Sequence, residues 1–289
     1  MANIIALFKK YADKLDEVYA LASCTSDLDS DASLVRAGAN ANEIMIPVLQ
    51  MDGLGDYSRN DGYVKGSVDL HMESVKFNYD RGRKFTVDAM DNEETAGLAF
   101  GKLSSEFVRT KATPEMDAFR FAAYAGTDGI SVASGDLADG AAVLAALVTA
   151  VAKMDEDGVP ESDRHLKITP THLNAVKAVD TTKSREVLDS FASIKKVPQS
   201  RFYTAIDLNS GKEGDELAGG YTKAADAKDI NFMIIHKPAL MQYPKHIVNK
   251  VISPEANQES DGYLAFYRAY GLAAIYPNKK AGVYLHHKA

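Results

Sequence analysis

The sequence predicts an α+β fold, and three observations carry that reading. Apolar residues recur at helical spacing in 140–155. An unbroken apolar run of strand length fills 230–235. Helices and strands are interspersed with long-range pairing rather than arranged in repeating units. No internal repeat stands out at periods of about 20 to 50 residues. The chain has 289 residues, enough for one or two domains with a substantial core.

Taken in order, residues 4–22 form an amphipathic helix, with Ile5, Phe8, Ala12, Leu15, Tyr19 and Ala22 on one face. It packs either on its own domain or on a partner. Residues 23–43 are rich in Ser, Asp, Ala and Asn, without periodicity, and read as an extended or mobile arm. Ile44 to Met51 reads as a strand interrupted by Pro47, which suits an edge position. Residues 52–66 are dense in turn formers. Val68, Leu70 and Met72 alternate, as do Val75, Phe77 and Tyr79; the slip in phase near Glu73–Ser74 predicts a bulge. Two arms around a glycine-rich tip make a long hairpin that needs a neighbour to cover it.

A turn and a short strand then lead into a long helix. Asp91 is a candidate N-cap, with Glu94 three residues on, and Ala96, Phe100, Leu103 and Phe107 share a face. Thr113 and Pro114 predict a restart, with Thr113 as N-cap and Pro114 at the first helical position. The two pieces together span about 30 residues, roughly 45 Å, and suit a structural spine. Gly126 to Asp139 reads as a loop. Gly140 to Asp155 is a helix whose buried residues are Leu144, Leu147, Val151 and Met154. Arg164 to Ile168 is a strand, and Thr169–Pro170 opens a helix. Thr182 to Phe191 is a further helix and Ile194 to Val197 a short strand. Residues 211–223 read as a surface loop. Strands follow at 230–235, 263–276 and 283–285, the last two around a turn at Pro277–Asn278.

Composition narrows the function. Apolar residues make up 46% and charged residues 25%, so the chain is globular rather than disordered. The net charge of −7 argues against a general nucleic-acid binder. The single cysteine, Cys24, excludes an intramolecular disulfide and suits a reducing compartment. The longest apolar run, Ala141 to Ala152, is too short to span a membrane, and Lys9 and Lys10 interrupt the N-terminal apolar stretch that a signal peptide requires.

The search for chemistry returns no catalytic, cofactor or metal site. Asp27, Asp29 and Asp31 imitate the start of a calcium loop. The sixth position is Ala32 instead of glycine, and the twelfth is Gly38 instead of glutamate. His286 and His287 are adjacent in a strand, so they point to opposite faces and do not share a metal. His71, His165, His172, His236 and His246 are scattered. No nucleophile elbow, phosphate loop or dinucleotide fingerprint occurs. Asp88, Asp91, Glu93 and Glu94 read as helix caps and dipole partners.

The segments DRGRKFTVDAMDNEET (80–95), TPEMDAFRF (113–121), VPQSRFYT (197–204) and DGYLAFYRAYGLAAIYPNKKAGVYLH (261–286) resemble, in order, the major capsid proteins of tailed bacteriophages. The resemblance implies the Hong Kong phage-type capsid fold. Its parts would be an N-terminal helix and arm at 1–43, an extended loop at 44–90 and a spine helix of the peripheral domain at 91–125. An axial domain would occupy 126–240, and peripheral strands returning to it 241–289. It implies a non-enzymatic subunit that forms hexamers and pentamers around double-stranded DNA in the virion, assembled in the host cytoplasm with a separate scaffolding protein and a portal. Tyr57, Arg59, Tyr63 and Lys65 at the hairpin tip would meet a neighbouring subunit. Arg81, Arg83 and Lys84 would be either an inter-subunit ion-pair patch, facing acids such as Glu259 or Asp261, or an ordinary solvated turn. Some relatives join subunits through a Lys–Asn isopeptide bond, but no local motif assigns that role to Lys65, Lys76, Asn249, Asn257 or Asn278. An encapsulin-like compartment shell is the nearest alternative, and a soluble α+β enzyme a more distant one.

Overall fold

The computed structural model describes residues 23–30, 36–37, 43–60, 62–89, 106–179 and 181–289. The amphipathic helix read at 4–22, and the cap and apolar face read at Asp91 to Leu103, lie outside the described residues. Thirteen strands, counted among the described residues, form four sheets. β1 (Arg36–Ala37), β2 (Glu43–Met51) and β3 (Val68–Lys76) make an antiparallel sheet. β4 (Tyr79–Asp88) joins β12 (Gly262–Ile275), which pairs in turn with β11 (Leu240–Ile252). The third sheet has five strands in the order β5 (Ser131–Ser134), β13 (Val283–His287), β10 (Ile230–His236), β6 (Arg164–Ile168), β7 (Ser193–Lys196). β8 (Ile206–Leu208) and β9 (Tyr221–Lys223) form a small hairpin.

β10 explains its own composition. Ile230, Met233 and Ile235 enter one core with Phe121, Tyr124, Phe202, Leu285 and Leu28. Phe232 and Ile234 enter a second core, on the opposite face, with Leu147, Met154, Leu166 and Val176. A strand buried on both faces reads as a continuous apolar run. The second core is built by α2 (Gly140–Glu156), α3 (Pro170–Val179) and α4 (Thr181–Asp189). Asp139 caps α2, accepting from the Ala142 N–H at 2.8 Å. The buried face of α2 is Val143, Leu147, Ala150 and Met154, with Leu144 and Val151 at its flank, so its centre is turned from the predicted one. The small Ala150 is fully buried on that face, and a pattern weighted toward large residues misses it.

Helix α1 (Thr113–Ala125) corrects the predicted restart. Thr113 is not an N-cap: its backbone is helical (φ −65°, ψ −47°) and its N–H reaches the carbonyl of Val108 five residues back. A π-helical turn, Val108–Ala112, carries the chain directly into α1. Proline has no N–H, and its ring presses on the carbonyl four residues earlier. The wider turn gives that carbonyl room, so the helix continues.

Three other expectations change. β5 runs through the predicted 126–139 loop, because its short SVAS sequence pairs with the distant β13 rather than with a local partner. Residues 221–223 at the end of the predicted surface loop form β9. β11 was not foreseen. It carries Pro244 beside a bulge, where the register with β12 shifts between Pro244 and His246.

Replacing Pro114 with Ala tests the π turn. If the turn already relieves the ring, the variant changes unfolding free energy in urea by less than about 1 kcal/mol. A proline held in a regular helix would release about 3 kcal/mol on removal.

Candidate functional site

The hairpin of β2 and β3 is continuous. Every pair from Glu43↔Lys76 to Met51↔Val68 keeps one register, through Pro47 opposite Met72, so neither the predicted interruption nor the predicted bulge is present. The phase slip has another cause. Ile44 and Ile46, with Val75, turn inward onto Met241, Tyr243 and Leu272. Leu49, Met51, Val68, Leu70 and Met72 lie on the other face, where Leu49 stands opposite Leu70 and Met51 opposite Val68. That face is open: relative exposure is 48% at Leu49, 68% at Met51 and Val68, 62% at Leu70 and 49% at Met72. The chain itself covers the apolar residues of the inward face, Ile44, Ile46 and Val48, while Glu73, His71 and Asp69 stand opposite Ile46, Val48 and Gln50; the apolar ladder of the outward face is left open.

The tip is an ordered turn. Ser58 and Gly62 exchange backbone hydrogen bonds at 3.1 and 2.8 Å, and Gly62 takes φ +79°, a value that favours glycine. Tyr57 and Tyr63 meet edge to face at 4.9 Å across that pair, yet remain 61% and 89% exposed. Arg59 and Lys65 are exposed. The tip thus brings Tyr57 and Tyr63 together, with Arg59 and Lys65 exposed in the same turn segment.

Arg81, Arg83 and Lys84 lie on β4, not in a turn, and find partners within the chain. Arg81 Nε donates to Glu115 at 2.7 Å, and its Nη2 donates to the carbonyls of Asn209 and Gly220. Arg83 Nη2 donates to the Leu217 carbonyl at 3.1 Å. A Cβ on Gly211 would come within 2.7 Å of the Arg83 guanidinium. Lys84 projects from the opposite face of the strand and pairs with Glu259 at 3.0 Å. The β8–β9 loop is thereby gripped by two arginines through its backbone. Beside it lies a groove of 670 Å³ between β4, the π turn and this loop. Glu115, the one carboxylate lining it among the described residues, is held by Arg81 and Tyr79.

The sequence reading missed the role of residues 23–30. This strap is pinned rather than extended free of the fold. Asp117, buried in α1, accepts from Ser23 Oγ (2.8 Å), the Cys24 N–H (2.9 Å), Thr25 Oγ1 (2.7 Å) and Arg201 Nη1 (3.2 Å). Asp27 accepts from Lys167 Nζ at 2.7 Å through both oxygens, and Lys195 lies 3.2 Å away. Asp29 accepts from Gln242 Nε2 at 2.7 Å and lies 3.5 Å from Arg120. Asp27 and Asp29 therefore face cations and an amide, the reverse of a calcium loop; Asp31 lies outside the described residues. Burial opposes the charge on Asp27, but Lys167 and Lys195 outweigh it and hold the carboxyl below its ordinary range. A lysine inside the strand RHLKI and an aspartate inside an apolar helix were the available signals. At the C-terminus, His286 is buried, stacked on Phe232 and in contact with Asn231, while His287 turns to the other face.

No protein-family model matches the chain, and no curated protein matches it in sequence. Solved structures match its fold along nearly the whole length. A structure of Mycobacterium phage Che8 aligns with a TM-score of 0.61 at 12% identity, over 91% of this chain and 90% of its own. The capsid of cyanophage P-SCSP1u gives 0.60 at 13% identity, over 93% and 88%. The virus-like particle from Pyrococcus furiosus gives 0.56 at 11% identity, over 97% and 99%. The chain has the α+β phage-capsid fold that the sequence resemblance implies. Among the described residues, no helix is long and apolar enough to cross a membrane.

Asp27→Ala leaves the fully buried Lys167 without its counter-charge and should destabilise the free subunit by about 3–5 kcal/mol in urea at neutral pH. Lys167→Met removes the buried charge and should cost distinctly less. Asp27 has a lowered folded pKa, so its contribution is complete above the ordinary carboxylate value of about 4 and is lost as pH falls through the folded value. The gap between wild type and Asp27→Ala should therefore narrow as pH falls below the ordinary carboxylate range.

Proposed function

We propose that this chain is the major capsid subunit of a tailed bacteriophage. Copies assemble as hexamers and pentamers into an icosahedral shell around double-stranded DNA. The observation that carries the reading is the open apolar ladder Leu49, Met51, Val68, Leu70 and Met72, on a hairpin belonging to a phage-capsid fold. Fully burying such a side chain contributes about 1.5–3 kcal/mol. A free subunit forgoes that gain, and an assembled one recovers it in every copy.

In this reading the hairpin of 44–90 is the extended loop, and Tyr57, Arg59, Tyr63 and Lys65 meet the adjacent subunit. Arg81, Arg83 and Lys84 contribute by fixing β4 and the β8–β9 loop from within. Residues 1–43 are the N-terminal helix and arm. α1 with β11 and β12 corresponds to the peripheral domain of 91–125 and 241–289, and β4, at the end of the extended-loop segment, pairs onto β12. The five-stranded sheet and its helices correspond to the axial domain of 126–240, which β13 rejoins. The role is mechanical, with no catalysis and no cofactor. A scaffolding protein and a portal are separate partners, and the subunit assembles in the host cytoplasm before residing in the virion.

A second reading has specific support. The virus-like particle from Pyrococcus furiosus aligns over the largest shares of both chains among the three matches described. A compartment shell enclosing protein cargo uses the same mechanical parts. The contents of purified shells separate the two readings: nuclease-protected DNA supports the capsid, and a co-purifying enzyme supports the compartment.

Two variants test the assembly surface. Leu70→Asp with Met72→Asp places charge on the open face, and shortening 52–66 to a two-residue turn removes the tip. Both should leave circular dichroism and melting nearly unchanged and abolish closed shells in negative-stain images. Normal shells from either variant would count against the proposed interface.

A further inference from the structure

The groove between β4, the π turn and the β8–β9 loop carries charge that the fold does not use. Four cations line it, Arg81, Arg83, Lys111 and Arg201, against the single carboxylate Glu115 among the described residues. Arg81 is taken up by Glu115 at 2.7 Å, and Arg201 by Asp117 at 3.2 Å. Arg83 gives an N–H to the Leu217 carbonyl, and no carboxylate among the described residues meets its charge. Lys111 is exposed and has no partner among them. Two positive charges therefore remain in a cleft whose walls include Phe85, Phe107 and Tyr221. Cations beside aromatic walls suit a segment that combines carboxylates with an apolar side chain.

The chain itself carries such a segment. The loop that joins β8 and β9 has a tip, residues 213–217, that is exposed throughout. Glu213 and Asp215 have no partner among the described residues, and Glu216 accepts from the Ser210 N–H at 2.8 Å. Leu217 is 59% exposed. The tip does not fill its own groove, because only residues 218–221 of this loop line it. The neutral stem forms one wall, and the acidic tip stands outside the lining.

We propose that residues 213–217 of one copy dock in this groove of a second copy, with Glu213 and Asp215 meeting Arg83 and Lys111, and Leu217 against the aromatic wall. Groove and tip are different surfaces of one chain, so every copy offers both halves and the contact is head to tail. Such a contact makes rings when the rotation between copies closes. Opposite signs matter in a chain of net charge −7, whose copies otherwise repel one another. Exposed ion pairs are individually weak, each worth roughly up to fivefold in affinity, so the contact is screened by salt and gains from repetition. The inference rests on the reading that copies of this chain assemble, and adds a contact distinct from that of the hairpin.

Cross-linking between copies of the full-length chain tests it. Lys111→Cys and Asp215→Cys are made as separate variants, each with Cys24→Ser, then mixed before assembly and mildly oxidised. A disulfide between positions 111 and 215 can then only join two copies, and mass spectrometry should find it. Charge exchange gives a second measurement. Lys111→Glu replaces an attraction with a repulsion and should weaken self-association in sedimentation velocity about tenfold at about 50 mM salt, where screening is weak. Adding Asp215→Lys should restore most of that loss. Closed shells without the 111–215 disulfide would overturn the contact and leave the capsid reading standing. The disulfide in open oligomers that never close would support the contact and count against the capsid reading. A Lys111→Glu variant that associates like the wild type, or one that Asp215→Lys does not rescue, would also overturn the contact. So would poly-L-glutamate that shields Lys111 from acetylation while no 111–215 disulfide forms, which would assign the groove to an acidic chain of another protein.

Discussion

Glu115, Asp117, Arg120 and Tyr124, all buried in α1, need partners, and those partners set the rest of the structure. Glu115 draws in Arg81 and Tyr79 of β4. Asp117 draws in the strap and Arg201. Arg120 reaches Thr25 and Asp29, and Tyr124 donates to Gln242 of β11 at 2.6 Å. An unpaired charge at these depths would cost several kcal/mol. The helix therefore does more than fill space between sheets. Its apolar residues join two cores, and its polar residues specify which segments lie where around them.

The same helix shows how a local conflict is resolved by geometry. Pro114 is incompatible with a regular α-helix interior, yet α1 has to follow the preceding turn without a break to bury Val108, Ala112 and Met116 against Tyr79, Tyr267 and Ala269. The π turn satisfies both demands. It leaves Thr113 Oγ1 buried without a hydrogen-bond partner among the described residues, a polar penalty that the apolar packing offsets.

The hairpin presents the opposite situation. Nothing within the described fold covers Leu49, Met51, Val68, Leu70 and Met72, although their strand is regular and its base well packed. An open apolar ladder of this kind is ordinary inside a sandwich and costly at a surface. Identity of 11–13% to the matched structures shows that the fold does not depend on particular side chains. What recurs is the overall course of the chain, at TM-scores of 0.56 to 0.61.

The sequence by itself determined the elements whose signals are local. The α2 helix, the Pro170 start of α3, the β10 run and the two hairpin arms were all legible from spacing and turn chemistry. So were the exposed tip residues Tyr57, Arg59, Tyr63 and Lys65, because a turn-rich segment has little to bury. Tertiary structure alone decided the features that depend on distant partners. SVAS becomes a strand only beside β13, and LMQYPKHIVNKVI only beside β12. Arg81 and Arg83 become internal clamps only once the β8–β9 loop is folded against them. Asp27, in a stretch that reads as loose and acidic, becomes a half-buried anchor because it is the counter-charge of the fully buried Lys167 among the described residues. Side-chain periodicity is set within a few residues of chain, whereas pairing of strands and charges is set by which surfaces meet after the chain has folded.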